Sequence, residues 1–304
     1  MQTSVDIGRV GLWTGIIDAH STSHGRELAQ QIEAMGWPTL WRPESTGRDA
    51  LVSCATLLDA TTTLRLATGI AQIHARHSHT TASAQRTLAE ASGGRFLLGL
   101  GVSHAPLVTG VRKLDYSTPF SDMVAYLAAM KEAPFMAVGP KELPPFVLAA
   151  LGPKMLHLAA TEASGAHPYF SPVEHTSYAR GILGEALLAP EQMVVLDTDR
   201  ERATDIAISH MNRYLRLPNY TNNLRRFGFG DDDIDAGNGQ PSERLIDAIV
   251  VRGDVDAIVN RVRAHHDAGA DHVCLQVLTK DPRESQVEAW NLLAEGLGLL
   301  RPAK

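Results

Sequence analysis

The chain has 304 residues, 44% of them apolar and 20% charged, with a formal net charge of −6. That balance suits a folded globular protein, provides no basic stripe for nucleic acid, and leaves no low-complexity tract. No apolar run reaches the roughly 18 residues of a membrane span, and Met1 to Asp6 lacks the charged-then-apolar pattern of a leader, so a cytoplasmic protein is expected. Cys54 and Cys274 lie far apart and form no Cys-x-x-Cys pair, so both read as small core residues.

Strand and helix patterns alternate from Val10 onward. Val10 to Ile17 reads as a first strand, followed by a helix that Ser23 caps and Gly36 stops. Thr39 to Arg42 is a second strand, Ala50 to Ala60 a helix, and Leu64 to Ile73 a third strand rich in Leu, Thr and Ile. Thr80 to Ala91 carries small and apolar residues at helical spacing, and Ser92, Gly93 and Gly94 stop it. Phe96 to Val102 is a continuous apolar run, the pattern of a parallel strand covered on both faces. Gly99 and Gly101 share one face of that strand, leaving room for something flat, and Ser103 and His104 stand just past its carboxyl end.

Pro119 opens the next helix, and the proline-rich stretch from Glu132 to Pro145 is a connection, because strand-helix alternation resumes with Phe146 to Leu151 and Lys154 to Glu162. Gly165 to Phe170 is a sixth strand; Ser171, Pro172 and Glu174 have the spacing of a capping box for the helix that follows. Glu191 to Leu196 is a seventh strand, and Asp199 caps a long helix to Leu217. Pro218 to Gly253 breaks the repeat as an insertion with a short helix after Ser242. Asp254 then caps a helix to Gly269, His272 to Leu278 is the eighth strand, and Ser285 to Leu300 is a final helix. Eight strand-helix units imply an α/β fold of the closed (β/α)8 TIM-barrel type in one domain over residues 1–304, with the insertion between strands seven and eight. An open doubly wound sheet is the runner-up, but no Gly-x-Gly-x-x-Gly opens a helix, since His104 stands where the third glycine would be.

Ser92 to Pro106, with its Ser-Gly-Gly-Arg-Phe segment followed by a glycine-bearing strand, resembles the fourth strand of the luciferase-like monooxygenase superfamily. The nearest likeness is to the branch that uses the deazaflavin coenzyme F420, and it extends as a pattern over nearly the whole chain. The resemblance implies a hydride-transferring oxidoreductase acting on a small organic substrate, with F420 as cofactor, FMN as the alternative, and a homodimer. It also implies a bulge at the end of strand three, often with a non-prolyl cis peptide, which by position is Gly69-Ile70.

Barrel chemistry collects at the carboxyl ends of strands, and polar residues gather there: Asp18, His20, Arg42, Glu44, Ser45, Gln72, His74, Arg76, His77, His79, Ser103, His104, His167 and Tyr169, with Glu191, Gln192 and Gln276 along later strands. His77 and His79, with His74 nearby, offer imidazoles for a hydrolytic metal, yet later strand ends add no matching ligands, so no metal is expected. A planar redox cofactor needs an apolar floor and polar groups at its edge, which Gly69, Ile70, Ala71, Gly101 and Ser103 can supply. From the resemblance, Ala163, Ser164, Gly165 and Ala166 form the phosphate loop. Glu44 matches the acidic member of the branch's Asp-His pair, but Ser45 replaces the histidine, leaving His104 and His167 as candidates for proton transfer beside Glu44. The FMN monooxygenase of the same fold and a non-catalytic flavin-binding protein are the competing functional readings.

Overall fold

The computed structural model describes residues 6–300 apart from 238 and 282. Eleven strands run in parallel: β1 (Val10–Trp13), β2 (Thr39–Arg42), β3 (Arg65–Thr68), β4 (Ala71–Gln72), β5 (Phe96–Gly101), β6 (Phe146–Leu148), β7 (Gly165–Ala166), β8 (Leu187–Leu188), β9 (Glu191–Leu196), β10 (Val250–Gly253) and β11 (Val273–Val277). β3 and β4 are one stave interrupted at Gly69-Ile70, and β8 and β9 are one stave interrupted at Ala189-Pro190, so the barrel has eight staves with β10 as an addition. Closure is made by the broken stave. The Ala189 and Glu191 amides donate to Ala166 and Pro168, each at 2.9 Å, on one side. On its other side the Cys274 amide donates to Pro190 at 3.0 Å, and β9 continues the ladder with β11. The expected α/β barrel is the observed fold.

The helices between staves are α1 (Thr22–Ala34), α2 (Ala50–Ala60), α3 (Ser78–Ala91), α4 (Pro119–Lys131), α5 (Pro153–Glu162), α6 (Val173–Leu183), α7 (Arg200–Tyr214), α8 (Pro218–Arg226), α9 (Asp231–Ile234), α10 (Glu243–Ile249), α11 (Val255–Asp267) and α12 (Val287–Gly296). Asp199 and Asp254 cap α7 and α11 as their sequence positions imply, accepting from the Arg202 and Ala257 amides. Several boundaries differ: the strand expected over 165–170 ends at Ala166, the helix after Asp199 ends at Tyr214, and two helix starts change. Ser21, not Ser23, caps α1, because β1 ends at Trp13 and a 3-10 turn at Ile16–Ala19 takes up the rest of the apolar run. α6 begins at Val173 with Pro172 as an N-cap that makes no side-chain bond, while the Ser171 hydroxyl is buried without a partner, so the expected capping box does not form.

Where the sequence suggests an insertion with one helix, the structure has α8, α9, α10 and the strand β10. These elements form a second core with α7: Tyr220, Leu224, Phe229, Leu245, Ile246 and Ile249 pack with Met193, Ala207 and Met211. α8 is anchored by Tyr220 and Leu224, spaced i, i+4. Asn219, Asn222, Asn223 and Arg226 follow helical spacing on the neighbouring face and line the cavity described below. Trp41 is fully buried inside the barrel, stacked on His167 with ring centres 4.3 Å apart and 15° from parallel. The Trp41 indole donates to His272 at 3.0 Å, and His272 Nδ1 donates to the Gly8 carbonyl at 2.8 Å. Among the described residues no helix is long and apolar enough to cross a membrane.

Candidate active site

A cavity of about 650 Å³ opens at the carboxyl ends of the staves. Its floor is the break between β3 and β4, where the Gly69-Ile70 peptide is cis, the isomer that the resemblance implies. Glycine is required at two floor positions by close approach. A Cβ at Gly69 would lie 2.6 Å from Trp13 Nε1, and one at Gly101 would lie 2.5 Å from Ile70 Cδ1. The room that Gly99 and Gly101 leave on β5 is therefore already filled, by the Thr68 carbonyl and the Ile70 side chain, and Ile70 itself presents the flat apolar surface. Ala71 pairs with Leu100 and faces the core, so of the expected floor residues Gly69, Ile70, Gly101 and Ser103 line the cavity and Ala71 does not. Ser103 holds a left-handed backbone, φ 64°, and its carbonyl accepts from the Tyr116 hydroxyl at 2.7 Å.

The phosphate-loop assignment needs correcting. Ala163, Ser164, Gly165 and Ala166 lead into β7, and the Ser164 amide donates to Phe146 at the amino end of β6, 2.8 Å away. Loops that precede staves sit at the opposite end of a barrel from loops that follow them, and none of these four residues lines the cavity. The loop after β6 does. Ala149 to Gly152 and Met155 border the cavity, and Gly152 is an N-cap of α5 with no side-chain bond, so the Lys154 and Met155 amides face out ahead of the first intrahelical bond. Arg226 of α8 borders the same cavity.

The three proton-transfer candidates fare differently. Glu44 has a side chain only 3% exposed and is fully engaged: Arg76 donates to both oxygens, and the Gln72 and Ala50 amides donate at 2.7 and 3.3 Å. A carboxylate with four donors, two of them from one guanidinium, is a brace for the floor rather than a free base. His104 stands beside the cavity with Nε2 3.5 Å from the Tyr220 hydroxyl, and burial lowers its pKa against the opposing effect of a hydrogen bond with the Asn219 side chain. His167 is wholly enclosed, and burial lowers its pKa to about 4, so it is neutral near pH 7. Its Nδ1 proton is committed to the Ala189 carbonyl at 2.7 Å, leaving Nε2 as an acceptor.

Of the aromatic wall, sequence reading named Tyr169 and missed Trp13, Tyr214 and Tyr220. Trp13, Tyr169, Tyr214 and Tyr220 border the cavity, and the Tyr169 hydroxyl reaches Tyr214 and Gln276, each at 2.8 Å. The helical spacing of Asn219, Asn223 and Arg226 was the available signal, but nothing in the sequence aims an insertion at the barrel mouth. Among the described residues no group of three or more His, Cys, Asp or Glu could hold a metal ion, and His77 Nδ1 accepts from the His79 amide at the start of α3.

The sequence pattern of the luciferase-like monooxygenase family matches residues 11–272. The chain belongs to this family. A Mycobacterium tuberculosis protein named as a candidate coenzyme F420-dependent oxidoreductase is 30% identical over 192 residues, which span 53% of this chain and 55% of that relative. Two solved structures share the fold: an F420-dependent secondary alcohol dehydrogenase in complex with an F420-acetone adduct (TM-score 0.76, 15% identity, 97% of this chain and 99% of that one) and the F420-dependent tetrahydromethanopterin reductase of Methanopyrus kandleri (0.72, 16%, 95% and 98%). The FMN-bound oxygenating constituent of 3,6-diketocamphane monooxygenase from Pseudomonas putida is also similar, with a TM-score of 0.65 at 16% identity over 94% of this chain and 95% of that one.

Proposed function

We propose that the protein is an F420-dependent oxidoreductase, folded as one domain, that moves a hydride between the deazaflavin and a small organic substrate. The observation that carries this reading is the cavity: a flat apolar floor at Ile70 with an anion cradle, the first turn of α5 and Arg226, on its border. When bound, the deazaflavin supplies a ring carbon that accepts or gives a hydride. Its phosphate would be held by the Lys154 and Met155 amides and by Arg226, because exposed first-turn amides and a guanidinium both favour an anion. The Asn223 Nδ2 donor, buried and unpartnered, lies on the same border, and its orientation is set by Arg226 donating to Asn223 Oδ1 at 3.1 Å.

The chain's own residues then divide the work. Trp13, Tyr169, Tyr214 and Tyr220 exclude water and give the substrate an aromatic wall. His104 exchanges the proton that accompanies the hydride. Burial lowers the pKa of its imidazole, which favours the neutral form that can take a proton from a hydroxyl when the substrate is oxidised, and return it in reduction. His104→Phe is expected to lower kcat by about a hundredfold with cofactor binding unchanged; a loss confined to cofactor affinity would make His104 part of the cofactor site instead.

The FMN monooxygenase shares this floor and cradle, and cofactor titration separates the two. F420 is expected to bind at micromolar concentration or tighter, roughly 8 kcal/mol, and FMN at least tenfold more weakly. Fluorescence quenching on adding protein to each cofactor reads the result without a known substrate. Tight FMN binding with no response from F420 would establish the monooxygenase reading, and silence from both would leave a non-catalytic protein.

A further inference from the structure

Two buried acceptors on the cavity border lack a donor. Gln72 and His167 are 2% and 1% exposed, and both line the cavity. Gln72 Oε1 and His167 Nε2 have no hydrogen-bond partner. Neither side chain can present a donor instead. The Gln72 amide nitrogen lies 2.8 Å from the Glu44 carbonyl oxygen, which only accepts, so the amide cannot be turned over. His167 Nδ1 is fixed as the protonated nitrogen by the Ala189 carbonyl at 2.7 Å, and Trp41 stacked at 4.3 Å holds the plane of the ring. The nearby indole N–H of Trp13 is already given to the Gly69 carbonyl at 3.0 Å. The two acceptors belong to opposite ends of the bulge. His167 Nε2 stands 3.0 Å from where a Cβ on Gly69 would lie, and Gln72 follows Ile70 by two residues.

Resting on the deazaflavin reading above, we propose that Gln72 Oε1 and His167 Nε2 are paired specificity-determining acceptors that call for two hydrogen-bond donors on the enclosed part of the ring system. The F420 ring system has two while its acidic phenol carries its proton, the N–H of its pyrimidine portion and the phenolic O–H at its other end. The FMN ring has the N–H and carries methyl groups in place of the phenol. With FMN one enclosed acceptor stays unsatisfied, which weakens binding by on the order of tenfold to a hundredfold. The same pair selects against FMN although floor and phosphate cradle suit both.

The test compares F420 with a 5-deazaflavin mononucleotide that keeps the ring carbon and phosphate but has methyl groups where F420 has its phenol. Wild-type protein is expected to bind F420 at least tenfold more tightly than this analogue; equal affinities overturn the proposal without any variant being made. Of the variants His167→Phe and Gln72→Met, one is expected to abolish the preference for the phenol, and the other to weaken both ligands about tenfold by leaving the shared ring N–H without its acceptor. Two variants that each weaken both ligands equally, or that change neither, overturn the assignment of the pair. Failure of every deazaflavin to bind the wild-type protein is a separate result and refutes the cofactor reading itself.

Discussion

Lowering the pH from 7 to about 5 is expected to cost the protein about 7 kcal/mol of its stability. Burial lowers the pKa values of His167, His175 and His210 to about 4 and those of His265 and His272 to about 3. In each case loss of hydration is the leading cause. The hydrogen bonds show why the protonated forms do not fit. His272 Nε2 accepts from the Trp41 indole, so a proton there would face another donor. His265 Nε2 already donates to Gln192 Oε1 at 2.9 Å, so a second proton has to enter at Nδ1, where the Thr176 hydroxyl 2.8 Å away must then turn from donor to acceptor.

In the unfolded chain these imidazoles titrate near 6.5, above their folded values, so the unfolded state binds more protons below that pH. The stability they contribute is complete above about 6.5 and is lost as pH falls toward the folded values. By pH 5 each histidine costs about 2 kcal/mol, and five together cost about 10 kcal/mol, comparable to the whole stability of an ordinary domain. Glu191 works in the opposite sense. Burial holds its carboxyl protonated up to about 8, with the Phe170 amide its one partner, so acid removes a penalty of about 3 kcal/mol, which is smaller than the histidine cost. Circular dichroism followed against pH at constant ionic strength reads the balance; a chain fully folded at pH 4 would show that these histidines take up protons inside the native structure.

The barrel was legible because its signals are local. Each stave is a short apolar run between a helix stop and a polar tip, and Asp199 and Asp254 announce their helices by a side chain that bonds the amide three residues on. Strand ends before a break were not legible: the apolar run from Val10 to Ile17 continues through a 3-10 turn whose Ile16 and Ile17 are as buried as the strand. At the site, residues of the staves themselves were recoverable, since Gly69, Ile70, Gly101, Ser103, His104 and His167 all line the cavity. What failed depended on contacts between distant segments. Glu44 reads as a free carboxylate until Arg76 is folded back onto it, and α8 reads as an insertion until Tyr220 and Leu224 dock it on α7. The placement of the phosphate at Ala163 to Ala166 failed for a different reason, because it set a family likeness against the rule that barrel sites lie past the carboxyl ends of strands.

Arg76→Leu is expected to lower stability by about 3–5 kcal/mol and to abolish cofactor binding, because it strands the Glu44 carboxylate in the enclosed floor. Arg76 and Glu44 have side chains 9% and 3% exposed, whereas Asp49, the second partner of Arg76 at 2.8 Å, is 45% exposed and can return to water. Left with the Gln72 and Ala50 amides alone, the carboxylate has to capture a proton or draw water into the floor, and either displaces Gln72 beside the cavity. The double variant Glu44→Gln/Arg76→Leu removes both charges and should recover most of the lost stability, since a buried pair deleted together leaves no unpaired ion. Glu44→Gln alone keeps the shape and leaves Arg76 to Asp49, so it should weaken cofactor binding about tenfold while the pH profile of kcat stays where it was. Thermal melts and cofactor titrations on the three variants read these outcomes. No rescue in the double variant would mean that Arg76 acts on the floor by itself, and a shifted pH profile in Glu44→Gln would make Glu44 a proton-exchanging group in place of His104.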